Sequence, residues 1–168
     1  MVIFIDTSAL YALLDADDRH HKTARAVWEG WLDHPPLLVC SSYILLESVA
    51  LIQRRLGMEA VRLFQEEMVP LFHIHWIEPE LHASAMSALL AARRRHISLV
   101  DWTSFELMRR LGIRTAFAFD RHFAEQGFEM LPPVQGPGPL QEDETPERRG
   151  NGVTRPRGDE GTDDAEVR

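Results

Sequence analysis

The chain opens with a strand that runs straight into a carboxylate. Val2-Ile3-Phe4-Ile5 is an unbroken apolar run of β-branched and aromatic residues. That composition suits a strand buried on both faces of a parallel sheet. It stops at Asp6-Thr7-Ser8, and Ala9 to Leu14 then reads as helix. In an open α/β sheet, ligands bind just beyond the carboxyl ends of the strands, so Asp6 stands where such a fold places its chemistry. Asp, Thr and Ser are also preferred helix caps. Capping and catalysis therefore both remain open on this stretch alone.

The rest of the chain repeats the alternation. Helices are expected at His20–Asp33, Tyr43–Leu56, Met58–Met68, Pro79 to about Arg95, Ser98–Gly112 and a short turn ending at Gln126. Apolar strands are expected at Leu37–Cys40, Leu71–Ile77, Thr115–Phe119 and Phe128–Leu131. Strand and helix in alternation imply a parallel sheet covered on both sides, with right-handed crossovers. From Pro132 the character changes to a Pro/Gly-rich stretch and then acidic residues with few large apolar side chains. Residues 1–132 are therefore read as one α/β domain, and 133–168 as a disordered Pro/Gly-rich acidic tail.

Composition narrows the function. The single cysteine, Cys40, excludes an intramolecular disulfide and a Cys-based zinc cage. No apolar run approaches the roughly 20 residues of a membrane span, and no basic segment precedes a hydrophobic one, so a cytoplasmic protein without membrane attachment is expected. The net charge of −8 argues against nucleic-acid binding by a simple basic surface. Half of it lies in the tail, where nine acids face five arginines from Pro133 onward. If body carboxylates converge to hold divalent cations, the loaded domain is closer to neutral.

Four acids stand out by position. Asp6 and Asp120 each follow an apolar strand and would lie side by side if those strands are neighbours. Glu47 sits among Ile44, Leu45, Leu46, Val49, Ala50, Leu51 and Ile52. A carboxylate in that setting is costly unless paired, hydrogen-bonded or bound to metal. Arg54 or Arg55, one or two turns on, is the alternative partner. Asp101 closes a capping box with Ser98, although a carboxylate in a first helical turn can also reach a metal-held water. Four acids from four segments make a hard-oxygen site suited to Mg²⁺ or Mn²⁺, which could activate water against a phosphodiester. There is no phosphate-cradling Gly loop and no Ser elbow. A receiver-like phospho-switch needs a lysine opposite its Asp, and the only lysine, Lys22, falls in a helix. His20, His21 and His122 read as structural, with a phosphate or metal-bound water as the alternative contact for His122. Arg93-Arg94-Arg95 and Arg109-Arg110 suit helix ends as well as an RNA backbone.

Phe4-Ile5-Asp6-Thr7-Ser8, Ser42 to Glu47, Leu99-Val100-Asp101 and Ala118 to Phe123 resemble, in order, the four signature segments of PIN-domain ribonucleases. The small size and the Phe119-Asp120-Arg121-His122-Phe123 ending look most like VapC toxins of toxin–antitoxin pairs. The resemblance implies a three-layer α/β/α sandwich with a central parallel sheet of four to five strands. It implies an Mg²⁺- or Mn²⁺-dependent endoribonuclease cutting structured RNA such as tRNA, working as a homodimer and silenced by an antitoxin. Asp6, Glu47, Asp101 and Asp120 carry over as metal ligands, with Ser8 and Ser104 as hydroxyls that orient acids or water. The helix hairpin bearing Trp28 and Trp31 offers a groove for the antitoxin. Many relatives carry one further acid near the fourth, where this chain has Arg121 and His122. The same resemblance admits a non-toxin nuclease of RNA processing, or a module that binds RNA or protein without cutting.

Overall fold

The computed structural model describes residues 1–133; the expected tail lies outside them. Five parallel strands form one sheet in the order β3-β2-β1-β4-β5. They are β1 (Val2–Ile5), β2 (Leu37–Ser41), β3 (Phe72–His75), β4 (Thr115–Phe117) and β5 (Glu129–Leu131). β1 is central, pairing Phe4 with Val39 of β2 and with Ala116 of β4. Ile3, Phe4 and Ile5 are fully buried, as the apolar run requires.

The helices are α1 (Thr7–Leu14), α2 (His21–Glu29), α3 (Ser42–Leu56), α4 (Met58–Leu63), α5 (Pro79–Ala92), α6 (Leu99–Leu111) and α7 (His122–Glu125). From β1 the chain winds outward through β2 to β3, then returns past β1 to β4 and β5. Right-handed crossovers in opposite directions place the two sets of helices on opposite faces. Aromatic packing records both layers. On one face Phe105 of α6 packs edge-on against Phe123 of α7 at 5.1 Å between ring centroids, and Phe123 lies 6.3 Å from Phe4. On the other, Trp31 beyond α2 meets Phe117 of β4 edge-on at 5.2 Å. The result is the three-layer sandwich expected from the alternation.

Local chemistry sets the element ends. The Ser41 hydroxyl caps α3 by accepting from the Ile44 N–H at 3.1 Å. Gly112 ends α6 at φ 66°, a left-handed conformation that favours glycine. Several expected elements differ: α2 ends at Glu29 rather than Asp33, and β3 spans Phe72–His75 rather than Leu71–Ile77. The helix expected over Met58–Met68 is α only to Leu63, continuing as a π turn over Phe64–Met68 and a 3₁₀ turn over Val69–Leu71. That run buries Phe64, Met68 and Val69. β4 ends at Phe117 rather than Phe119. The Phe119 N–H leaves the ladder to donate to the Ser8 hydroxyl at 2.9 Å.

Candidate active site

The strand order reverses at β1, between β2 and β4. A crevice opens at such a switch point beyond the carboxyl ends of the strands. Asp6 lies there, its N–H donating to the Phe117 carbonyl of β4 at 3.0 Å. A cleft of about 660 Å³ is lined by Thr7, Ser8, Glu47, Ala50, Leu51, Arg54, Ser98, Asp101 and Asp120. β1, α3, α6 and the segment after β4 thus each bring one of the four singled-out acids to this end of the sheet.

Asp6 is at once the cap of α1 and the floor of the site. Its Oδ2 accepts from the Ser8 N–H at 2.9 Å and from the Ser8 hydroxyl at 2.5 Å. Ser8 Oγ in turn accepts from Phe119 N–H, so one hydroxyl ties the end of β1 to the segment leading to Asp120. Asp6 is only 5 % exposed. Burial pushes its carboxyl up to about 7, against the lowering effect of Ser8, and the charges of Asp101 and Glu47 add to the rise.

Glu47 has found its partner 40 residues away. The Thr7 hydroxyl donates to Glu47 Oε2 at 2.6 Å, and the buried Ser48 hydroxyl donates to Thr7 Oγ1 at 3.4 Å. No ion pair joins Glu47 to Arg54 or Arg55 among the described residues. Arg54 lies exposed in the cleft wall instead. Burial raises the Glu47 carboxyl above its ordinary range, the Thr7 hydrogen bond opposes this, and the Asp101 charge reinforces it.

Asp101 does form the capping box: its Oδ2 accepts from Ser98 N–H at 2.7 Å while the Ser98 hydroxyl accepts from Asp101 N–H at 3.1 Å. It also lines the cleft, so capping does not turn it away from the site. Its carboxyl is raised chiefly by burial, with Asp120 raising it further and His122 lowering it. Asp120 Oδ1 accepts from the His122 N–H at 2.9 Å. Asp101, Asp120 and His122 each offer a ligand atom, all within 4.8 Å of one another. Ser104 is fully buried and its hydroxyl donates to the Val100 carbonyl at 2.9 Å; it supports α6 rather than lining the cleft. The Thr7–Glu47 pairing carries no local signal, since it joins positions 40 apart.

Glu47, Asp101 and Asp120 at one mouth, with the buried Asp6 beside them, are oxygen donors of the kind that suit a hard divalent cation. The PIN domain matches residues 3–129, and the chain belongs to that family. It is similar to the 23S rRNA-specific endonuclease VapC20 of Mycobacterium tuberculosis, with 35 % identity over 133 residues, 79 % of this chain and 99 % of that protein. The crystal structure of VapC20, described as a sarcin-ricin loop cleaving toxin, superposes with a TM-score of 0.68. It covers 75 % of this chain and 95 % of that one. FitAcB from Neisseria gonorrhoeae shares the fold at a TM-score of 0.55 and 15 % identity, over 76 % of this chain and 93 % of its own.

Proposed function

We infer that the chain is a divalent-cation-dependent endoribonuclease of the VapC toxin type. The observation that carries this is the convergence of Glu47, Asp101 and Asp120 on one cleft at the switch point, with the buried Asp6 within reach of the charges of Asp101 and Glu47. The specificity of VapC20 supports a structured ribosomal RNA as substrate more directly than tRNA.

The four acids would hold the cation, directly or through water. When bound, it supplies a water of lowered pKa and neutralises charge building on the phosphate. The chain's own residues do the positioning. Ser8 fixes Asp6 and the approach to Asp120 together, and Thr7 holds Glu47 in a single reach. The Ser98 box leaves Asp101 anchored through one oxygen. Hydrolysis adds water across the phosphodiester: a new P–O bond forms, the leaving oxygen departs, and the water's proton passes to it or to solvent. Arg54 in the cleft wall, with Arg19 and Arg121 in the adjoining groove that Ser8 and Asp120 also line, suits phosphates entering beside the acids. These arginines bear on the objection from net charge, although Asp18 shares the groove and Arg121 pairs with Glu125.

An antitoxin would silence such a nuclease, and an apolar groove lined by Trp28, Trp31, Leu32, Pro35, Pro36, Leu38 and Leu71 is a surface it could fill. That groove lies at the starts of β2 and β3, away from the acids. A homodimer belongs to the same reading. Purified full-length protein incubated with ribosomal RNA should yield discrete fragments with Mg²⁺ or Mn²⁺ and none with EDTA or in Asp120→Asn. Fragments that persist in EDTA would overturn the reading. Tight RNA binding without any cleavage would favour the non-cutting module instead.

A further inference from the structure

One buried polar atom at the site has no partner. His122 is only 9 % exposed, and its Nδ1 is buried without a hydrogen bond. Asp120 Oδ1 is 2.8 Å away, a contact that is an ion pair only if the ring is protonated and that makes no hydrogen bond. That oxygen already accepts from the His122 backbone N–H. A buried ring nitrogen held this close to a carboxylate oxygen without bonding to it needs another explanation.

Metal coordination supplies one. Two donors in adjacent positions of an octahedral ion, each roughly 2.1 Å from it, lie about 3 Å apart. The Nδ1–Oδ1 separation matches that spacing. Asp101 brings a third donor into the same 4.8 Å cluster. With its proton on Nε2, the ring leaves the Nδ1 lone pair free for a cation that the two carboxylates also hold. The backbone N–H to Asp120 orients that carboxylate, as outer contacts of a metal ligand do.

We propose that His122 is a nitrogen ligand of the catalytic cation, completing an Asp101–Asp120–His122 set that favours Mn²⁺ over Mg²⁺. This rests on the nuclease reading above and adds a donor to it. Carboxylates serve Mg²⁺ and Mn²⁺ alike, whereas an imidazole nitrogen suits transition metals and adds little for Mg²⁺. Histidine in this position therefore changes which ion the site selects, in the vicinity where a further acid would leave both ions equally served.

The test uses the full chain, stripped with EDTA and loaded with Mn²⁺ alone. Electron spin-echo modulation should show a directly bound ¹⁴N, which becomes ¹⁵N when the protein is grown with ¹⁵N-histidine. The coupling should vanish in His122→Asn, with Mn²⁺ affinity by calorimetry falling about tenfold or more and Mg²⁺ affinity changing far less. Circular dichroism checks that the variant folds. Should it fail to, His96→Ala removes the neighbouring ring, whose centroid is 5.0 Å from that of His122, and must retain the coupling. Bound Mn²⁺ without nitrogen coupling, or coupling that survives His122→Asn or disappears in His96→Ala, overturns the assignment while leaving the nuclease reading intact. No Mn²⁺ bound at all overturns both.

Discussion

Replacing Asp6 with asparagine should make the metal-free protein more stable at pH 8 while abolishing RNA cleavage. Asparagine keeps the shape, and its carbonyl oxygen can accept both hydrogen bonds that Ser8 now donates to Asp6 Oδ2. What it removes is a buried charge beside Asp101 and Glu47. The Asp6 carboxyl rises from 3.8 to about 7 on folding, so between those values the folded state binds a proton that the unfolded chain has released. Stability therefore falls as pH rises through that window, and the whole penalty is present above pH 7. At 1.36 kcal/mol for each pH unit, the penalty is about 4 kcal/mol at pH 8 and under about 2 kcal/mol at pH 5. For a domain of this size that is of order 10 °C in Tm at pH 8. Thermal melts of wild type and Asp6→Asn in EDTA, at pH 5 and pH 8, read the difference. The gain should shrink toward pH 5, and saturating Mg²⁺ or Mn²⁺ should raise the wild-type Tm more than that of the variant. A variant that melts below wild type at pH 8 in EDTA would refute the reasoning, because Asp6 would then be contributing as a charged cap.

Thr7→Val should leave the fold within about 1.5 kcal/mol of wild type yet slow RNA cleavage by roughly tenfold, since Glu47 loses the hydroxyl that fixes it; melting and cleavage rates on the same samples separate the two effects. Ser8→Ala leaves the Phe119 N–H without its acceptor and Asp6 with one donor fewer, costing about 1–3 kcal/mol, and urea unfolding measures it. The Cys40 thiol is buried and pushed up to about 12, so it should resist a disulfide reagent at pH 8 in the native protein and react once the chain is unfolded.

Much of this was legible in the sequence because its signals are local. The Val2–Ile5 run specified a buried strand, Ser98 and Asp101 announced a capping box, and Gly112 marked a helix end. The π turn at Phe64–Met68 was not legible, because one widened turn leaves the local apolar spacing almost unchanged. The shortened β4 has a different cause: the atom that diverts Phe119 belongs to Ser8, 111 positions earlier. The site divides the same way. Its four acids could be picked out by where they stand, at strand ends or in an apolar helix. Their partners could not, since Thr7 reaches Glu47 only after β1 and α3 have packed. His122 read as structural because a lone histidine two residues past an acid carries no pattern. Only its buried, unbonded Nδ1 beside Asp120 gives it a role.

The most direct measurement is the rate of ribosomal RNA cleavage by the full chain as Mn²⁺ is titrated into EDTA-stripped protein, with Asp6→Asn, Glu47→Gln, Asp101→Asn and Asp120→Asn in parallel. A shared cation site predicts a saturable rise from zero for wild type and a loss of at least about 100-fold in each variant, the scale of removing one preorganised catalytic group. A wild-type rate that is the same in EDTA, or four variants that all cleave like wild type, would contradict it.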